Sequence, residues 1–247
     1  MFALTGPNHI DANTAVHRLI ETRRTDLAAL RRRLSDTLTA AHTFHDPDLT
    51  EEANNRRRTD MARTARAQAA ADLDRIEAQA NQAAALVRTV ADRVTAPAGG
   101  AAEQLLAETR QARAWDRARA LLDTGRTVPD IIEGAGLDTL HALRTELPTY
   151  LAAQHTKPRG MAAADFTEPD PTRVVRTVER ALADHLPADQ GAALRARLNL
   201  DALEPGLRET LAGLRREVDG TADPGNALRS AVAARLADQQ AAPLPTA

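Results

Sequence analysis

One apolar row constrains this chain more than anything else in it. Ala62, Ala65, Ala69, Leu73, Ile76, Ala80, Ala83, Val87, Val90 and Val94 follow one another at helical three-four spacing, with a single extra-residue slip between Ala69 and Leu73. A stripe sustained over that distance is satisfied only by packing against another helix, and its alanines let the partner's backbone come close. The row predicts a helix from about Leu49 to Thr95, on the order of 65–70 Å long at 1.5 Å per residue. A partner lies directly upstream. Ile20, Leu27, Leu34 and Ala41 fall seven apart, Val16 and Leu30 share the alternate seam position, and Arg23 and Thr37 interrupt it. These predict a first helix from Asn13 or Thr14 to about His42.

Phe44–Leu49 breaks the pattern, because Pro47 disfavours helical geometry at Asp46. Asp48 is placed to cap the second helix, with Glu51 three residues on. So short a link makes antiparallel neighbours the natural arrangement. The first arm is the shorter one, and paired from the turn it is expected to end opposite residue 80 or so. That leaves Ala83, Leu86, Val87, Val90 and Val94 in need of another surface, as are the second-row residues Leu19 and Leu38. A third helix carrying Leu105, Leu106, Leu121 and Leu122 is expected to cover part of it, and Val87, Val90 and Val94 are the expected association seam.

Pro97 to Gly100 closes the hairpin, and a third helix is predicted over 101–124 with Gly125 at its C-cap. Short helices follow over 129–134, 138–146 and 148–154. The stretch from His155 to Pro171, with Pro158, Gly160, Pro169 and Pro171, reads as a linker. Helical patterns then recur over 172–186, 188–199, 201–218 and 224–238, separated by Pro187, by Pro205 with Gly206, and by Pro224 with Gly225. The fold class is all-α: a long antiparallel, coiled-coil-like helical hairpin, then a helical bundle and a small C-terminal helical unit. The corresponding division is 1–98 for the hairpin, 99–155 for the third helix and short-helix cluster, and 156–171 for the linker. The C-terminal unit takes 172–240, and 241–247 is a disordered tail.

Composition fits long helices meeting along narrow seams. Aromatic residues are 2% of the chain, while hydrophobics reach 43% largely through alanine, which favours helix but buries little area. A net charge of −2 sets up no overall field toward nucleic acid or an anionic membrane. Lys157 is the lone lysine among arginines, a bias attributable to a GC-rich genome. The absence of cysteine excludes a disulfide framework and any thiolate chemistry. Neither a signal-peptide pattern nor an apolar run longer than Ala83–Val87 occurs, so a cytoplasmic protein is expected.

Candidate chemistry is sparse. His42, His45, Asp46 and Asp48 cluster at the turn, and Asp46-x-Asp48-x-Thr50 begins like a calcium loop. Glu51 then stands where the sharp-turn glycine belongs and Arg57 where the bidentate glutamate belongs, so an ordinary helix-to-helix turn is the better reading. Gly134 and Gly136 lack the preceding strand and third glycine of a dinucleotide site. Neither a phosphate loop, nor a zinc-protease helix, nor a nucleophile elbow is found. No catalytic, metal or cofactor site, and no small-molecule substrate, is assigned.

Two features remain. Arg31, Arg32 and Arg33 lie on one arm and Arg56, Arg57 and Arg58 on the other, and antiparallel pairing brings them to similar heights as a basic collar able to grip phosphates or an acidic protein surface. Nearby Glu51, Glu52, Asp60 and Asp36, with no interleaved aromatics, make a solvated arginine face the preferred account. The second feature is Pro129 to Leu143, whose short helix, glycine turn and capped second helix have the outline of a helix-turn-helix unit. Its exposed face would be Thr139, His141, Ala142 and Thr145, with Arg144 the base- or phosphate-contacting residue. The favoured expectation is a non-catalytic structural or assembly protein that meets protein partners, its own copies first, through elongated helices. A subunit of a phage virion or scaffold has this style of chain. The alternative is a DNA-binding regulator using 129–146.

Overall fold

A computed structural model describes residues 7–96, 99–154 and 171–221, which form helices and turns and no strand. The chain is all-α and opens with the hairpin. Helix α1 (His9–Glu21), a π-helical turn (Thr22–Asp26) and α2 (Leu27–Thr43) make one continuous arm, and α3 (Glu51–Thr95) makes the other. The π-turn explains how the first arm keeps its seam inward. Upstream of it the buried row is Ala12, Val16 and Leu19, and downstream it is Leu27, Leu30, Leu34 and Ala41. Leu19 to Leu27 is one residue longer than a heptad step, and a π-turn absorbs one extra residue. Leu19 is therefore the buried seam residue, and Ile20, the start of the expected heptad row, is only half-buried.

The antiparallel register is fixed at three heights. Arg58 Nε donates to the Phe44 carbonyl at 2.8 Å, Arg33 pairs with Asp72 at 3.5 Å, and Arg93 Nη1 donates to the Pro7 carbonyl at 3.0 Å. The last contact corrects the expected length of the first arm. Helix α1 starts at His9 rather than at Asn13 or Thr14, with fully buried Ala12 in its first turns and Asp11 where the helix dipole favours an anion. Instead of ending opposite residue 80, the first arm reaches Arg93. The cap of α3 is also shifted. Thr50 Oγ1 accepts from the Ala53 amide at 3.3 Å, whereas the Asp48 amide donates to Asp46 Oδ1.

After the hairpin come α4 (Ala101–Asp123), α5 (Val128–Glu133), α6 (Leu137–Gln154), α7 (Pro171–His185) and α8 (Ala188–Val218). Contacts divide the chain into two compact units. The first comprises the described residues of Ile10–Arg88 and Asn199–Ala247. Here the end of α8 runs antiparallel to α3: Arg88 pairs with Glu204 at 2.6 Å, and Arg215 pairs with Asp74 at 2.6 Å and Glu77 at 2.8 Å. Arg31 on α2 reaches Glu217 at 2.8 Å. Its buried row, Leu200, Leu203, Leu207, Leu214 and Val218, makes α8 a third helix of this unit. Helix α8 is capped at Gly220, where a φ of +72° lets the Gly220 and Thr221 amides bond back to Glu217 and Arg216.

The second unit comprises the described residues of Met1–His9 and Thr89–Leu198. Helix α6 packs on both α4 and α7. The core joins Ala118, Ile131, Leu140, Leu143, Leu147, Val178, Leu182 and Leu194. Trp115 and Tyr150 meet edge to face at 5.7 Å, and the Tyr150 hydroxyl donates to Asp123 at 2.7 Å. Gly191 lets α8 lie against the end of α7, where an added Cβ would come within 2.3 Å of the Ala183 carbonyl oxygen.

This grouping differs from a division in chain order, since α7 shares a core with α4–α6 and α8 contributes to both units. Two predicted breaks are also absent. Helix α6 continues through Pro148 and α8 through Pro205 and Gly206. Interior proline costs about 3 kcal/mol. In both helices, however, the core-facing row stays in phase across it: Leu140, Leu143 and Leu147 lead to the half-buried Leu151 in α6, and Leu200, Leu203 and Leu207 are buried in α8. The linker over 156–171 lies, save for Pro171, outside the described residues, as do the helix near 224–238 and the tail 241–247.

Candidate functional site

The hairpin turn is organised by a residue that sequence inspection passed over. Asn54 is 0% exposed, and its side chain closes the turn on itself. Asn54 Oδ1 accepts from the Asp46 amide at 2.9 Å, while Nδ2 donates to the carbonyls of Asp46 at 3.0 Å and Leu49 at 3.3 Å. Asp46 contributes to the same turn by accepting from the Asp48 amide at 2.9 Å. The Asp46 carboxylate thus organises backbone. Among the described residues no group of three or more His, Asp or Glu side chains is arranged to hold a metal ion.

The arginine triplets are largely neutralised within their own unit, by the hairpin and by α8. Arg31 is held by Glu217 and Arg33 by Asp72. Arg56 pairs with Glu52 at 2.5 Å, and Arg58 with Glu51 at 3.2 Å, Asn55 at 3.0 Å and the Phe44 carbonyl. Arg32 and Arg57 are exposed. A shallow depression lined by Glu52, Asn55, Arg56, Thr59, Asp60 and Arg63 lies on one face of α3, with both signs of charge alternating across it. This is the pattern of a solvated helix face.

The short-helix unit forms much as expected, and its details argue against a groove-reading role. Thr127 and Asp130 make a reciprocal capping box at the start of α5. The Thr127 hydroxyl and amide hydrogen bonds hold the Asp130 carboxyl below its ordinary pKa. The intended recognition face is taken up by packing: Ala142 is buried, Thr139 and His141 are half-buried, and only Thr145 is exposed. Burial is the first cause that keeps the His141 imidazole below its ordinary pKa. The Arg144 charge adds to it and Asp138 opposes it. Arg144 itself donates from Nε to Glu179 Oε1 at 3.0 Å across the α6–α7 contact, with side chains 26% and 15% exposed. It acts as a strut between helices.

The other perturbed groups are likewise ion pairs of the helix packing. Burial opposes ionisation of Glu204, but hydrogen bonds and charges from Arg88 and Arg208 outweigh it and hold the carboxyl below its ordinary value. Asp74, then Glu77, hold the Arg215 guanidinium above its own.

The expected association seam is covered by the chain itself. Val87 is 0% and Val90 2% exposed, and Val94 is half-buried. The longer first arm accounts for this at one end, through Pro7 and Arg93. At the other, the pair Arg88–Glu204 lays α8 beside α3. Of the second-row residues, Leu19 is buried and Leu38 and Leu86 are half-buried.

Three of the four leucines expected to cover that seam are themselves uncovered, and Leu122 packs instead against the second unit's core. Leu105, Leu106 and Leu121 are 65%, 55% and 43% exposed. Within α4 burial is confined to Ala114 and Ala118, with Ala107, Gln111, Trp115 and Leu122 half-buried. From 101 to 113 the helix therefore has almost no cover. A sequence signal existed, because α4 combines its apolar residues into no single seam. No helix among the described residues is long and apolar enough to cross a membrane. Comparison with protein-family models, curated proteins and solved structures gives no match.

Proposed function

We propose that this chain is a non-catalytic structural protein that acts by assembly, meeting other proteins, its own copies first, through helix surfaces. The observation that carries the reading is the uncovered first half of α4, with Leu105 and Leu106 more than half exposed on a helix that continues into a packed core. Short helices standing alone in water are marginal, and burying an aliphatic side chain contributes about 1.5–3 kcal/mol. A surface of this kind gains most when another helix lies on it. A multi-subunit particle such as a phage virion or its scaffold, assembled in the cytoplasm, is the setting in which such surfaces are used repeatedly. The nucleic-acid reading is not favoured, since Arg144 is engaged with Glu179 and four of the six triplet arginines are paired.

Sedimentation equilibrium of the full chain from micromolar to millimolar concentration tests the reading. Mass should rise with concentration, and Leu105→Glu with Leu106→Glu should return the chain to a monomer of unchanged helicity. A strict monomer across the range would overturn it.

A further inference from the structure

We propose that residues 206–218 of α8 form a strap that opens and closes over the hairpin as one piece, hinged at Pro205 and pinned shut by Glu204. The inference is independent of the assembly reading. It starts from a conflict inside α8. Pro205 has no amide to donate and its ring crowds the carbonyl one turn back, while Gly206 adds the poorest helix propensity after proline. A helix that stops before Pro205 meets neither cost, because proline suits the position just past a helix end. Helix α8 nonetheless runs on to Val218, so contacts beyond the proline hold it closed.

Those contacts are few. Beyond Pro205 the large buried side chains are Leu207, Leu214 and Val218, and two further buried positions, Gly206 and Gly213, bring no side chain to the packing. Before it, α8 buries Ala193, Leu194, Ala196, Leu200 and Leu203 over a similar length. The rest of the strap's fastening is polar. Arg215 pairs with Asp74 and Glu77 on α3, Glu217 pairs with Arg31 on α2, and the Arg66 guanidinium lies 3.2 Å from where a Cβ on Gly220 would stand. Ion pairs open to water, as these are, contribute little each.

Glu204 closes the hinge. Its Oε1 accepts from Arg88 Nη2 on α3 at 2.6 Å and from Arg208 Nη2, one turn beyond the proline, at 2.9 Å. The first bond fixes the carboxylate on the hairpin and the second crosses the break, so both form together only when α8 is continuous. Opening at Pro205 uncovers the side of the hairpin that Leu207, Leu214 and Val218 close, and it leaves the first half of α8 in place. A few residues at one point of an element are enough to absorb such a change.

Native-state hydrogen exchange of the full chain in dilute solution tests the device. Amides from Arg208 to Val218 should share one opening reaction, more frequent than that of residues 193–203 or of the α3 seam. Pro205→Ala should slow the strap amides at least about tenfold, since it relieves the closed state alone. Glu204→Ala should speed them about threefold or more, and by a larger factor than it speeds 193–203. Arg208→Ala, which cuts only the bond across the break, should shift the same amides in the same direction. Uniform protection along the whole of α8, or strap amides that exchange no more slowly in Pro205→Ala, would overturn the hinge. Strap exchange unchanged in Glu204→Ala would overturn the pin.

Discussion

Replacing Asn54 by alanine removes the hydrogen-bonding core of the hairpin turn. The side chain makes three bonds to the backbone of Asp46 and Leu49 and is itself fully buried. Each is worth about 0.5–1.5 kcal/mol net, and a partner left buried without water costs more. The turn backbone is only partly buried, so the freed Asp46 and Leu49 groups regain some hydration. The expected loss is about 2–3 kcal/mol, toward the middle of the summed range. Urea unfolding followed by circular dichroism at 222 nm should show a lower midpoint for Asn54→Ala. Asn54→Asp, which keeps an acceptor and loses both donors, should fall between it and the natural chain. Asn55→Ala is the control, because Asn55 is exposed and its side chain accepts only from Arg58. If Asn54→Ala costs no more than Asn55→Ala, the turn is held by other contacts and the argument fails.

Other substitutions probe the packing of the second unit. Gly191→Ala gains roughly 1 kcal/mol of helix propensity but drives a Cβ toward the Ala183 carbonyl, so a net loss of about 1–3 kcal/mol is expected from Trp115 fluorescence during unfolding; a stabilised variant would refute the close approach. Because the folded His141 pKa lies below its unfolded value, the unfolded chain takes up the proton first, and stability present above about pH 6.5 is lost as pH falls toward the folded pKa. His141→Gln should flatten that part of the stability–pH profile, and an unchanged slope would place its origin elsewhere. Arg144→Ala should cost about 1–2 kcal/mol by leaving Glu179 unpaired, and duplex DNA affinity should not change; a selective loss of DNA binding without destabilisation would reinstate the regulator reading.

The hairpin was legible because a three-four row maintained from Ala62 to Val94 has no other use than helix packing. The turn at Pro47 and the glycine end of α4 at Gly125 were also legible locally, whereas the α3 cap at Thr50 and the start of α1 at His9 were not. The misreadings share a cause. Local propensity makes breaks of Pro148, Pro205 and Gly206, yet core-facing leucines on both sides (Leu147 and half-buried Leu151, Leu203 and Leu207) keep one phase and tertiary packing overrides the proline. The cover of Val87 and Val90 depends in part on α8, more than a hundred residues away in sequence, and no periodicity announces that contact. Asn54 did carry a signal: counted back from Ala62 in steps of four, Arg58 and Asn54 occupy the seam, and a polar residue there is a candidate for turn locking. The uncovered face of α4 became visible only when the seam it was expected to cover proved already buried.

Native-state hydrogen exchange on the full chain, compared between dilute and concentrated solution, tests the central claim most directly. At low concentration amides over 101–113 should exchange fastest within α4, since that half packs on little, while the buried rows of α3 and α6 stay protected. At high concentration new protection should appear over 101–113 and nowhere comparable. New protection centred on the hairpin turn or on the end of α3 instead, or none as mass rises, would contradict an assembly surface on α4.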